Sequence, residues 1–228
     1  MIIPFNHETN NFHTHKPQFN RNSICIVPFN VDNFKVGDSF QYGTIGIHPW
    51  KTDNSEVDLW LEELKNLLKQ KTFIGIGEIG LDRLKGAPLD AQISIFEKEF
   101  DIATEVDKPI IIHCVRCWSE VMAILSIPKY RNLTKAIHGF RAKPEIVKSL
   151  IEKGFYISFG TSIIHSTPEL AEAVTIVPKS RLFLETDDTE THIFDVYDAA
   201  ADILDTTIEE LVNITSQNFS TFFGSNLP

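Results

Sequence analysis

Short apolar runs alternate with longer segments whose apolar residues recur every three or four positions. Asn10 to His15, Ser23 to Val27 and Tyr42 to Ile47 each read as an extended stretch, the second closed by Pro28. Phe73 to Asp82 is a denser apolar run rich in Ile and Gly. Pro109 to Ile112, Lys135 to Ile137, Phe155 to Phe159 and Arg181 to Leu184 complete the set. Runs this short and apolar predict buried strands. Between them, Glu56 to Gln70 carries Leu59, Leu61, Leu64, Leu67 and Leu68 as an apolar face, with Asn54-Ser55 as its cap. Asp90 to Val106 carries Ile93, Phe96, Phe100 and Ala103 at helical spacing. Trp118 to Leu125, Pro144 to Glu152, Pro168 to Val174, Ile193 to Leu204 and Ile208 to Phe223 predict further helices, and Gly154 suits a helix C-terminus.

About eight strands alternating with helices predict a parallel α/β sheet. The length of 228 residues suits one small (β/α)8 TIM-type barrel over residues 1–228. A doubly wound sheet is the structural alternative. No repeat, linker or low-complexity tract marks a boundary.

Polar residues follow the apolar runs in a regular way. His13 and His15, His48, Glu78, His113, His138 and Asp187 each stand directly after one. In a barrel the C-terminal strand ends form one mouth, where active sites sit. Glu78, at the expected end of its strand, has no obvious Lys or Arg before Arg83 to pair with. A carboxylate there needs a cation or backbone donors. His13-Thr14-His15 places two imidazoles on one face of an extended chain, a metal-ligand spacing that a solvated pair also has. Imidazole and carboxylate donors suit Zn, Mn or similar ions. Six of them exceed one tetrahedral site. They fit two divalent ions roughly 3.5–4 Å apart, bridged by a carboxylate such as Glu78.

Charge narrows the partners. The net charge of −10 repels polyanions, so a nucleic acid would need metals or a local basic cluster. Three cysteines, Cys25, Cys114 and Cys117, predict no disulfide framework. No segment reads as a signal peptide or a membrane span, and a cytoplasmic location is expected.

These motifs, in their order along the chain, resemble the TatD-family metal-dependent hydrolases of the TatD DNase type. The resemblance rests on His13-Thr14-His15, Gly46-Ile47-His48-Pro49 and Ile76-Gly77-Glu78-Ile79-Gly80-Leu81-Asp82 with Gln92 and Phe96. It continues through Pro109 to Cys114, His138-Gly139-Phe140, Ile157 to Gly160, Leu184-Glu185-Thr186-Asp187, Asn218-Phe219 and Phe222-Phe223-Gly224. It implies a (β/α) barrel with two divalent metal ions (Zn, Mg or Mn). By it, His13, His15 and Asp187 hold one ion, His113 and His138 the other, and Glu78 bridges them. Glu78 and Asp187 are the implied catalytic carboxylates, with His48 near a substrate phosphate. The implied activity is phosphodiester hydrolysis, with DNA or another phosphodiester as partner.

The chain departs from the family in three places. Asn11 stands where the family has an acidic residue. Val115-Arg116-Cys117 replaces the usual Arg-Asp after His-Cys, so Arg116 reaches a phosphate only from a shifted register. Asp188 to His192 replaces a longer loop.

Other readings compete. A small amide, ester or lactone would suit the same site, as would ligand binding without turnover. Cys114-Val115-Arg116-Cys117 also has redox-pair spacing. Cys25 reads as core, and His7, His165 and His192 as solvated loop residues. Asp82 reads as a loop or capping residue. Trp50 suits base stacking and packing equally. The acidic Glu56 to Glu63 stretch reads as a solvated helix face.

Overall fold

The computed structural model describes residues 9–17 and 23–227; His7 lies outside them. All eight strands are parallel neighbours in chain order, β1 to β8. That is the order of a (β/α)8 barrel, so the fold class expected from the alternation holds. None of the described helices is long and apolar enough to cross a membrane. The chain divides into two compact units.

One unit comprises the described residues of Met1–Val27 together with Gly139–Thr221. It holds β1 (Thr9–Asn11), β2 (Ser23–Asn30) except its last three residues, β7 (Tyr156–Phe159) and β8 (Leu182–Leu184). Its helices are α4 (Pro144–Glu152), α5 (Pro168–Ile176), α6 (Ile193–Leu204) and nearly all of α7 (Ile208–Phe223). The first and last strands are joined here. Phe12 N donates to Leu184 O at 3.0 Å, and Thr14 bridges Asp187 in parallel. Beneath this seam Phe12 stacks on Phe183, ring centroids 3.9 Å apart.

The other unit comprises Pro28–His138 and Phe222–Pro228, of which Pro228 is not described. It holds β3 (Tyr42–Gly46), β4 (Phe73–Asp82), β5 (Ile110–Val115) and β6 (Lys135–Ile137), with α1 (Val57–Leu67), α2 (Leu89–Val106) and α3 (Trp118–Leu125). β4 is its axis, and every one of its ten residues is buried. Fully burying Ile74, Ile76, Ile79 and Leu81 contributes roughly 1.5–3 kcal/mol each.

Several expected bounds shift. β1 stops at Asn11, ahead of the His13-Thr14-His15 step, which continues only as the single Thr14–Asp187 bridge. β2 runs through Pro28 to Asn30. A proline's fixed φ is compatible with an extended strand, and the ring removes one donor only. β5 runs past His113 to Val115, and β4 past Glu78 to Asp82, so neither residue ends its strand. In α1, Leu61, Leu64 and Leu67 form the buried stripe, whereas Leu59 is 69% exposed. Two positions before Leu61 is about 200° around a helix, hence the far face. Asn54 Oδ1 does accept from Glu56 N at 2.9 Å, but no side chain caps the helix at Glu56 itself.

Gly80 lets β4 approach β5 beside His113. A Cβ on Gly80 would lie 2.0 Å from the His113 carbonyl oxygen, and its φ is 148°. Gly80→Ala therefore has to separate the two central strands. We expect a loss of at least about 3 kcal/mol, read as a fall of roughly 6–12 °C in Tm. An unchanged melting curve would contradict this packing.

Candidate metal centre

Glu78 stands at an irregularity in β4. Along the β4–β5 ladder Ile76 pairs with Ile110 and Ile79 with Ile112, so three steps on β4 match two on β5. Such a bulge re-aims the side chains around it. Glu78 is 7% exposed, and its Oε1 lies 2.6 Å from His113 Nδ1, 2.8 Å from His138 Nε2 and 3.3 Å from His48 Nε2. His138 Nε2 and His113 Nδ1 are 3.4 Å apart. The sequence expectation placed these four residues together, and the unit containing β4 brings them together.

His113 carries the most information. Its Nδ1 faces the Glu78 carboxylate, and its Nε2 faces Asp82 Oδ2 at 3.3 Å. A neutral imidazole has one donor and one acceptor. With a neutral ring, one of these contacts sets a lone pair against a carboxylate, which either a second ring proton or a cation at that edge relieves. A divalent ion among Glu78 Oε1, His113 Nδ1 and His138 Nε2 resolves the conflict. Each nitrogen then offers a lone pair, and His113 Nε2–H donates to Asp82. A ligating histidine whose other N–H meets a carboxylate is a common metal-site arrangement. The donor set thus fits a divalent ion.

His48 is held differently. Its Nδ1 accepts from Trp50 N at 3.2 Å, where it caps the short 3-10 turn Pro49–Lys51. That leaves the proton on Nε2, pointing at Glu78. Proximity groups His48 with Glu78 and His113, but this tautomer has no lone pair left for an ion. Burial, partly offset by the Glu78 contact, lowers its pKa, so the ring is neutral at neutral pH. It suits donation to an anion.

Behind His48, the buried Glu99 on α2 accepts from Ile47 N at 2.7 Å. Burial raises the Glu99 pKa well above the ordinary value. The folded state then binds the proton more tightly than the unfolded chain. Stability from this group is complete below the unfolded pKa and falls as pH rises from there through the folded value. Glu99→Gln keeps the acceptor and removes the titration. We expect it to raise Tm more at pH 8 than at pH 5; equal shifts would contradict a carboxyl held neutral.

Asp82 makes more contacts than a loop or capping reading gives it. Its Oδ1 does cap a turn, accepting from Leu84 N at 2.8 Å and Lys85 N at 3.1 Å. Its Oδ2 also accepts from Trp50 Nε1 at 2.8 Å and meets His113. Burial pushes the Asp82 carboxyl up, but the bonds from Trp50, Leu84 and His113 outweigh it and leave the pKa lowered. Gln92 clamps the strand end, its Oε1 accepting from Asp82 N at 2.7 Å and its Nε2 donating to Asp82 O at 2.9 Å. The available signal was Asp82's position four residues after Glu78 in the same apolar run. Trp50 is 40% exposed, with Lys85 Nζ 3.3 Å from its ring centroid. An exposed cation–π pair of this kind contributes about 0.5–1 kcal/mol.

The unit containing β1 and β8 carries a second donor group. Asp187 Oδ1 lies 3.9 Å from both His13 Nε2 and His15 Nε2, and the two rings are 5.4 Å apart edge to face. Backbone bonds from Asp187 N to His13 O (3.0 Å) and from His15 N to Asp187 O (3.1 Å) fix this arrangement. At 3.9 Å the side chains are beyond hydrogen-bond range. Two ligands of one tetrahedral ion stand roughly 3–3.5 Å apart, so a small contraction closes the set around a cation. Asn11, which replaces an acidic residue, is engaged in full. Its Nδ2 donates to Thr186 Oγ1 at 2.8 Å and its Oδ1 accepts from Thr186 N at 3.1 Å. It thereby fixes the residue before Asp187.

Other sequence candidates fall outside these clusters. Arg116 is exposed just past β5, with φ 55°, and its carbonyl accepts from Arg83 Nε at 2.9 Å. His192 caps α6, its Nδ1 accepting from Phe194 N at 3.2 Å, and His165 is exposed. Cys25, Cys114 and Cys117 are free thiols. Burial pushes the Cys114 and Cys117 thiols up, away from the low values a redox pair needs. Replacing both by Ala is expected to leave turnover within a few-fold; complete loss with the fold intact would revive the redox reading.

The model of the family described as TatD related DNase matches residues 35–224. An uncharacterized metal-dependent hydrolase, YabD of Bacillus subtilis, is 29% identical over 204 residues, covering 82% of this chain and 79% of the relative. The 3'-5' ssDNA/RNA exonuclease TatD of Citrobacter rodentium is 30% identical over 156 residues. That match covers 64% of this chain and 56% of the exonuclease. Among solved structures, a hydrolase TatD family protein from Entamoeba histolytica superposes with a TM-score of 0.80. It is 16% identical and covers 96% of this chain and 98% of that one, a likeness of fold.

Proposed function

Because the chain belongs to the TatD related DNase family of metal-dependent hydrolases, we propose that it hydrolyses phosphodiesters of nucleic acid, DNA first among them, with two divalent ions. The observation that supports this reading is Glu78 Oε1 within 2.6–3.3 Å of His113 Nδ1, His138 Nε2 and His48 Nε2, a convergence that a divalent cation beside Glu78, His113 and His138 fits. Glu78, His113 and His138 would hold one ion, and His13, His15 and Asp187 a second. Zn, Mn or Mg would supply Lewis-acid polarisation of a phosphoryl oxygen and activation of water.

The chain's own residues supply the rest. Asp82, accepting from His113 Nε2–H, would keep the His113 Nδ1 lone pair available to the ion that Glu78 and His138 share. His48 Nε2–H swings from Glu78 Oε1 to a phosphate oxygen, bringing a hydrogen bond without a charge. Asp187, half-exposed, accepts the proton released as water attacks. Arg116, at the β5 end, contributes a cation to the phosphate backbone. The name of the Citrobacter relative extends the substrate to single strands and to RNA. The cytoplasm, where thiols stay reduced, suits the three free cysteines.

A panel of bis(p-nitrophenyl) phosphate and p-nitrophenyl esters, assayed with each ion, tests the reading. Turnover of the phosphodiester well above that of the esters is expected. Preferential ester hydrolysis, or none with any ion, would overturn it.

A further inference from the structure

We propose that the indole of Trp50 is a stacking platform for a nucleobase of the substrate strand, and that Lys85 now occupies the place of that base. The inference rests on the reading of a nucleic-acid phosphodiester as substrate.

Trp50 stands at the edge of the candidate metal centre. Its ring centroid is 4.5 Å from that of His48 and 6.2 Å from that of His113. Its position is fixed from several sides. Nε1–H donates to Asp82, its backbone N–H donates to His48 Nδ1, and Pro49–Lys51 forms a tight turn. The loop between β4 and α2 presses against it: a Cβ on Gly86, whose φ is 91°, would lie 2.7 Å from Trp50 Cα. A large apolar ring held this firmly is normally covered. This one is 40% exposed, and the Lys85 ammonium lies over its ring, 3.3 Å from the centroid.

That lysine is a replaceable cover. Lys85 lies in the loop between β4 and α2, on a flexible stem, and its contact with the ring is electrostatic. A nucleobase covers the whole face and gains more by stacking than an exposed ammonium does. When the base enters, the ammonium moves off the ring and remains near the strand as a partner for phosphate. The exchange keeps both favourable contacts: base on ring, cation on phosphate. A protein of net charge −10 has particular use for such a local combination. Sequence preference is not expected, because every base has a π-face.

The test uses the metal-loaded protein with Trp60→Phe and Trp118→Phe, which leaves Trp50 as the reporting indole. The probe is a hexameric single-stranded deoxyoligonucleotide with phosphorothioate linkages, compared with an abasic oligomer of equal length and charge. Saturable quenching of Trp50 fluorescence by the base-bearing oligomer, and little by the abasic one, is expected. By anisotropy, the base-bearing oligomer should bind at least about tenfold more tightly, equivalent to about 1.4 kcal/mol. Trp50→Leu in the otherwise unaltered chain should narrow that gap to under about threefold, and this second arm stands if the two-Phe variant fails to fold. Equal quenching by both oligomers, equal affinities, a gap that survives Trp50→Leu, or no binding of either oligomer would each overturn the proposal. Hydrolysis of bis(p-nitrophenyl) phosphate by the unaltered protein, which offers no base, then tells whether the phosphodiesterase reading fails with it.

Discussion

Glu78→Gln is expected to lower turnover by at least about a thousandfold, on the scale of losing an electrostatic element essential to the reaction, while leaving the protein folded. The change preserves size and removes the one anion on which His48, His113 and His138 converge. A neutral amide is a poor ligand for a dication, and the remaining imidazoles bring no charge to offset it. The ion at this cluster should therefore be lost. Relative to the ion-free unaltered protein, stability should change little, because the apolar residues of β4 stay buried and an anion without its cation is unfavourable to bury. The variant stays folded because Gly80 and Gln92, not Glu78, hold the strand in place. Near-normal turnover from a folded Glu78→Gln protein, followed with bis(p-nitrophenyl) phosphate, would contradict the assignment.

Chelation is the second large effect. Full removal of divalent ions is expected to abolish hydrolysis and to lower Tm. An ion present at a hundred times its dissociation constant stabilises the folded chain by about 2.7 kcal/mol. For a chain of this size that corresponds to a Tm difference of roughly 5–10 °C. The loss should be reversed by adding back Mn or Zn, and calorimetry with and without chelator reads it directly. Activity that survives chelation would contradict the metal-dependent mechanism.

Much of this was legible in the sequence because period and position carry it. The helices Pro144–Glu152 and Ile193–Leu204 appear with the bounds that their patterns predict. His13, His15, His48, Glu78, His113, His138 and Asp187 could be singled out because each follows an apolar run. What stayed hidden depends on register and on buried polar pairing. The bulge near Glu78 moves it inside a strand that continues to Asp82, so a residue that reads as a turn former also meets His113. Glu99 falls within the buried stripe of α2 beside Phe96 and Phe100, and only its bond to Ile47 N explains a carboxyl there. Asn11 stands where the resemblance expects an acid, and only the structure shows its amide in a reciprocal pair with Thr186, donating to Oγ1 and accepting from N.

Whether these clusters hold divalent ions is read out by equilibrium dialysis against Mn with elemental analysis. Two ions per chain are expected for the unaltered protein, and one for Glu78→Gln if each cluster binds independently. Loss of both would mean that Glu78 serves both ions, as the family resemblance implies. An unaltered protein that retains no stoichiometric ion, or a Glu78→Gln protein that retains two, would contradict the account.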